Sequence, residues 1–133
     1  MQLSGCGTAL ITPFRGDGSV DEEALVSLVQ WQVESGVNFL VVCGTTGEAP
    51  TLSLDETLRV VELTIEAAAG RAPVLAGCTH NSTREAVARV RRISRVPNLA
   101  FALKTTNPPL KGHMCPVPFE RIYQTSVAHA SPI

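Results

Sequence analysis

Four short apolar runs punctuate the chain: Gly7–Phe14, Val37–Cys43, Pro73–Cys78 and Leu99–Leu103, each rich in Val, Leu, Ala or Ile. Runs of this length and composition fit buried strands of a parallel sheet. Between them the apolar spacing changes to that of a helix. Leu25, Leu28, Val29 and Val33 share one helical face, as do Leu58, Val61, Ile65 and Ala68, and then Ala86, Val87, Val90 and Ile93. The helical segments open with Ser-x-x-Glu at Ser19–Glu22, Ser53–Glu56 and Ser82–Glu85. In such a box the Ser oxygen accepts the third helical N–H while the Glu reaches back to the cap N–H. Gly36 and Gly70 come after the first two helices, where a left-handed residue ends a helix. The pattern reads β-α four times, which predicts an α/β fold with parallel strands and right-handed crossovers. A doubly wound sheet and a (β/α)8 barrel both begin this way.

Composition narrows the function classes. The 133 residues are 44% hydrophobic and 17% charged, with a formal net charge of −1. That balance suits one globular domain and supplies no field for nucleic acid or anionic lipid. The first residues, MQLSGCGTALITPFR, lack a basic leader and a long apolar run, so the reading is soluble and cytoplasmic, with no membrane partner. Cysteines at 6, 43, 78 and 115 form no C-x-x-C pair and no zinc spacing with histidine. Cys6, Cys43 and Cys78 read as small buried hydrophobes, and neither a metal nor a cofactor is expected. No G-x-G-x-x-G follows the first strand and no phosphate-loop motif is present. Arg89, Arg91, Arg92 and Arg95 read as a solvated helix face.

The chemistry-bearing stretch is Gly44-Thr45-Thr46-Gly47-Glu48, at the carboxyl end of the second strand. In α/β proteins that edge carries the ligands. Flanking glycines allow a tight turn, so that the N–H groups of Thr45 and Thr46 can converge on one small anion. Their hydroxyls could relay a proton. The plainer alternative is a strand-to-helix connection whose hydroxyls cap the backbone.

The segments GTALITPF, DGSVDEEAL, GVNFLVVCGTTGEAPTLSLDE and GRAPVLAGCTHNSTREAV occur in an order that resembles the N-terminal half of the dihydrodipicolinate synthase family of pyruvate-dependent class I aldolases. The resemblance runs from Gly5 to Val87 and is patchy beyond Val96. It implies the first half of a (β/α)8 barrel, and an enzyme that condenses pyruvate with aspartate semialdehyde in lysine biosynthesis. There a strand lysine forms a Schiff base whose imine is an electron sink. By resemblance, Thr45 and Thr46 N–H groups hold the pyruvate carboxylate and the Thr45 hydroxyl joins a relay with two tyrosines. Gly44 and Gly47 shape the loop, and Glu48 braces it. Asn81 and Glu85 match inhibitor contacts of the lysine-regulated members, whereas Leu54, Thr57 and Pro109 replace polar or aromatic residues there.

The departures bear on activity. Pro109 and Leu110 stand where the family carries a relay tyrosine, and Tyr123 aligns with no catalytic position. The other relay tyrosine and the Schiff-base lysine belong to strands five and six, and the 133 residues end at Pro132-Ile133, where strand five is expected. Lys104 and Lys111 are the lysines present, and both read as solvated; His80, His113 and His129 read as structural or exposed. The expectation is therefore a partial barrel domain over residues 1–133, inactive alone, with strands in the order 1-2-3-4 and helices on one face. Its open edges favour a homo-oligomer or a complementary half-barrel. The other class is a non-catalytic carboxylate-binding or assembly module, or a gene remnant.

Overall fold

A computed structural model describes residues 4–103. The elements are β1 (Gly7–Ala9), α1 (Glu22–Glu34), β2 (Phe39–Val42), a 3-10 turn (Ala49–Thr51), α2 (Leu54–Ala68), β3 (Val74–Gly77), α3 (Thr83–Ile93) and β4 (Phe101–Leu103). The four strands form one parallel sheet in the order β1-β2-β3-β4, as the repeat predicts. The helix expected after β4 lies outside the described residues, as do Lys104, the loop 105–117, Tyr123, His113 and His129.

Residues in register on parallel strands project to the same face, which separates two rows. Leu40, Val42, Val74 and Ala76 are all buried in one cluster with Leu25 and Val29 of α1, Val60 and Val61 of α2, and Ile93 of α3. This is the helix-covered face: α1 packs against α2, and α2 against α3. The opposite row runs Ala9, Val41 and Leu75. Leu75 is buried there but stands outside the cluster, Val41 is half-buried and Ala9 is exposed. Farther along the chain, Ile11 is 55% exposed. The second face of β1 is therefore open among the described residues, in line with the expectation of helices on one face.

The first strand is also shorter than its apolar run. Beyond Leu10, whose N–H donates to the Val41 carbonyl at 2.8 Å, the chain leaves the sheet. Phe14 pairs instead with Val20 in an antiparallel bridge closed by a turn at residues 15–19. Pro13, having no N–H to give a ladder, suits that departure.

Of the three predicted capping boxes, the Ser53–Glu56 box is complete. The Glu56 N–H donates to Ser53 Oγ at 3.2 Å, and the Ser53 N–H donates to Glu56 Oε2 at 2.8 Å. Ser82 accepts from the Glu85 N–H, but its own N–H goes to His80 Nδ1 at 3.0 Å. The Ser19 box is corrected. The N-cap of α1 is Asp21, which accepts from the Ala24 N–H, while the Ser19 hydroxyl and N–H both donate to Asp17. An aspartate two residues back captures the serine before it can reach the helix, a local competition typical of turn segments. At the helix ends Gly36 is left-handed at φ 84°, as expected. After α2 the left-handed C-cap is Ala69 at φ 49°, with Gly70 also positive at φ 73°.

A bidentate pair ties α1 to α2: Arg59 Nε and Nη2 donate to Glu22 Oε1 and Oε2 at 2.9 and 2.7 Å. These bonds hold the Glu22 carboxyl below its ordinary value of 4.5. A carboxyl depressed in the folded state contributes stability above its unfolded value and loses it as pH falls through the folded one. The contribution of Glu22 is thus present above about pH 4.5 and disappears in more acidic solution. Urea midpoints at pH 7 and pH 3 are expected to differ less in Glu22→Gln than in the unmodified chain. Equal acid losses in both would contradict the assignment.

Candidate functional site

β2 does not end in a plain extended residue. Val42 and Cys43 are sequence neighbours, yet both sit in the helix-side core at 1% exposure. Strand alternation would send Cys43 to the opposite face. Its left-handed backbone, φ 51°, turns it back. The carbonyl of Cys43 then passes directly over Gly77 of β3, where an added Cβ would collide with the Cys43 carbonyl oxygen and approach the Gly44 Cα at 3.0 Å. Gly77 is the residue that lets the loop after β2 cross the end of β3.

The loop itself is a pair of tight turns. Gly47 N–H donates to the Gly44 carbonyl at 3.1 Å, and Glu48 N–H donates to the Thr45 carbonyl at 3.1 Å. Thr45 and Thr46 are exposed, and among the described residues their own N–H groups donate to nothing. They occupy the open amino end of the turns, where N–H groups lack internal partners for the same reason as at a helix start. The flanking glycines act differently from the sequence reading: neither Gly44 nor Gly47 takes a left-handed φ, and the left-handed positions are Cys43 and Glu48. At Gly47 the space for a side chain is tight. A Cβ there would lie 3.1 Å from the Leu10 carbonyl and 3.3 Å from the Thr12 hydroxyl. No comparable contact explains Gly44.

Two anchors hold the loop. Thr12, buried beside β1, donates its hydroxyl to the Gly47 carbonyl at 2.7 Å. Glu48 accepts from the Thr51 N–H and hydroxyl through its carbonyl, each at 2.8 Å. The support at Glu48 is therefore main-chain in origin, and its carboxylate has no hydrogen bond among the described residues. Thr12 and Gly77 lie in segments that carry the family resemblance, but nothing in the sequence assigned them these roles. Both act through close approach of separate strands.

Beyond Thr45, the loops after β2 and β3 enclose a cavity of about 90 Å³ lined by Thr45, Ala49, Pro50, Thr79, His80 and Asn81. Small-molecule pockets are usually about 300–1,000 Å³, so this cavity is well below that size. His80, read as structural from sequence, lines this cavity. With Nδ1 accepting from the Ser82 N–H, the neutral ring carries its hydrogen on Nε2. Among the described residues no group of three His, Cys, Asp or Glu side chains could hold a metal ion.

The model of the dihydrodipicolinate synthetase family matches residues 2–97. The chain belongs to that family. It is 58% identical over 108 residues to the 4-hydroxy-tetrahydrodipicolinate synthase of Acidobacterium capsulatum, covering 81% of this chain and 35% of that protein. The corresponding enzyme of Koribacter versatilis is 53% identical over 108 residues, 81% of this chain and 36% of its own length. The chain thus spans about a third of the relatives it matches. Among solved structures, the dihydrodipicolinate synthase of Aquifex aeolicus superposes with a TM-score of 0.70 at 43% identity, over 75% of this chain and 33% of that one. The N-acetylneuraminate lyase of Proteus mirabilis superposes equally well, TM-score 0.70, at 27% identity, over 77% and 34%. These likenesses identify the sheet and its helices as part of the family's (β/α)8 barrel. Among the described residues no helix is long and apolar enough to cross a membrane.

The two thiols beneath the loop are inert by position. Burial pushes Cys43 up to about 12, with Cys78 adding to the rise and Arg89 opposing it. Burial does the same to Cys78, again to about 12 against Arg89. Since the thiolate is the reactive form, alkylation of the folded chain at about pH 8 is expected to label exposed Cys6 and to spare Cys43 and Cys78. Peptide mass spectrometry checks this, and rapid labelling of Cys43 would contradict it. Gly77→Ala is expected to lower stability by about 1–3 kcal/mol in denaturant unfolding, the usual cost of overpacking. An unchanged midpoint would remove the crossing at Gly77 as a constraint.

Proposed function

We propose that this chain supplies the carboxylate-holding loop of a dihydrodipicolinate synthase-type lyase, a class I aldolase acting in cytoplasmic lysine biosynthesis. The observation carrying the reading is the open pair of N–H groups at Thr45 and Thr46, at the carboxyl edge of a parallel sheet whose sequence belongs to that family. Two adjacent backbone donors without internal partners suit the carboxylate of a small 2-oxo acid such as pyruvate. The Thr45 hydroxyl, exposed beside them, is suited to pass a proton. Gly47 keeps the loop close to β1, and Gly44 and Glu48 complete the turn. Neither a metal nor a cofactor is needed for imine chemistry of this kind.

Covalent catalysis needs an activated amine as well. The lysines in the 133 residues, Lys104 and Lys111, lie in or beside a sequence rich in Pro and Gly, outside the described residues, and nothing in that sequence marks either as the activated amine. We therefore assign to residues 1–133 the role of a partial barrel domain that binds carboxylate without forming the Schiff base. The open row at Ala9 and Val41, with Ile11 beyond it, is suited to cover by a complementary half-barrel or a second copy. The alternative of a non-catalytic binding or assembly module rests on the same open face.

Titration of the 15N-labelled chain with pyruvate is expected to move the amide signals of Thr45 and Thr46, with a Kd near millimolar, or about 4 kcal/mol of binding. Incubation with pyruvate and borohydride is expected to leave the intact mass unchanged. Silent Thr45 and Thr46 signals would remove the carboxylate reading, and a stoichiometric lysine adduct would remove the non-covalent one.

A further inference from the structure

Arg89 differs from the other arginines of α3. Arg91 and Arg92 are exposed, as is Arg95 just beyond the helix, as the sequence predicts for a solvated face, but Arg89 is half-buried. Its guanidinium spans the gap to the start of α2. Nη1 donates to Thr57 Oγ1 at 3.1 Å, and Nη2 donates to the Leu52 carbonyl at 3.1 Å. The ion pairs among the described residues involve Arg15, Arg59 and Arg92, so Arg89 spends its donors on neutral oxygens.

Those oxygens belong to the segment directly behind the Thr45–Thr46 loop. Leu52 closes the 3-10 turn, and Ser53 caps α2. The Thr57 hydroxyl, fully buried, donates onward to the Ser53 carbonyl at 2.8 Å and so accepts from Arg89 with its free lone pair. One planar fork thereby fixes Leu52 directly and Ser53 through Thr57. A lysine, with a single nitrogen, could not reproduce that geometry. From Gly47 to Leu52 the chain is held at one end by Thr12 and at the other by Arg89, with local turn bonds between. The charge of Arg89 also opposes the rise at both Cys43 and Cys78, as expected for a cation lodged under the loop.

We propose that Arg89 is a positioning residue for the Thr45–Thr46 loop, clamping Leu52 and Thr57 so that the two open N–H groups keep a fixed direction. It does not touch the ligand. That the ligand is a carboxylate rests on the function proposed above; the clamp itself does not.

The test uses the full chain with Arg89→Met, Arg89→Lys and Thr57→Val, read by amide hydrogen exchange and by the pyruvate titration. In Arg89→Met the hydrogen-bonded amides of Gly47, Glu48, Ala49, Thr51 and Leu52 are expected to exchange at least about tenfold faster, while those in the middle of α1 stay unchanged. Arg89→Lys should recover part of the protection, and Thr57→Val should fall between the two. The pyruvate-induced shifts at Thr45 and Thr46 should weaken by about tenfold in Arg89→Met. Unchanged loop exchange in folded Arg89→Met overturns the proposal. If that variant does not fold, unchanged loop exchange in Thr57→Val does so. Faster loop exchange without any pyruvate response in the unmodified chain supports the clamp and rejects the carboxylate reading.

Discussion

The close passage of the Cys43 carbonyl over Gly77 governs the carboxyl edge of this sheet. Adjacent strands leave no room for a peptide to cross one strand end unless that strand lacks a side chain there. Because Gly77 supplies the gap, β2 can turn sharply at Cys43 instead of running on past its neighbour. The left-handed Cys43 then buries its own thiol on the helix side and delivers Gly44 to the start of the turn. A non-glycine residue in that conformation carries a cost of order 1–3 kcal/mol and persists where its surroundings over-determine it. Here the surroundings are the Gly77 gap on one side and the packed core on the other.

Downstream of Gly44, a few well-placed bonds hold the loop. Thr12 fixes Gly47 from β1, and Arg89 fixes Leu52 and Thr57 from α3. Net contributions of such bonds are typically about 0.5–1.5 kcal/mol each, so their value lies in geometry more than in global stability. They leave the N–H groups at the amino end of the turn unpaired among the described residues. A site that must accept a ligand has to keep donors unsatisfied, and the rest of the loop must therefore be satisfied without them.

The two faces of the sheet differ in cover. On the helix side, packing is complete from α1 to α3. On the other side, Ala9 and Ile11 are exposed and Val41 is half-buried, while Leu75 is buried. A barrel interior is filled by side chains from strands all round the ring. The described residues give the loop its shape, and the chain spans about a third of its relatives.

The sequence by itself determined the elements and their order. Apolar runs marked four strands, helical spacing marked the segments between them, and Ser53–Glu56 marked the start of α2, because each signal is carried by residues a few positions apart. The GTTGE stretch was legible as a turn at a strand end for the same reason. Tertiary structure decided the rest. Thr12 meets Gly47 across 35 positions, and Arg89 meets Thr57 and Leu52 across 32 and 37. Such pairs exist only once parallel pairing has set the register, and no periodicity along the chain announces them. Arg89 reads as one more charge on a basic face until the packing of α3 against α2 turns it inward. Gly77 reads as one small residue in an apolar run until the carbonyl of Cys43 lies over it. Local spacing fixes which elements form, whereas steric fit between distant segments fixes how their ends meet, and the candidate site is made of those ends.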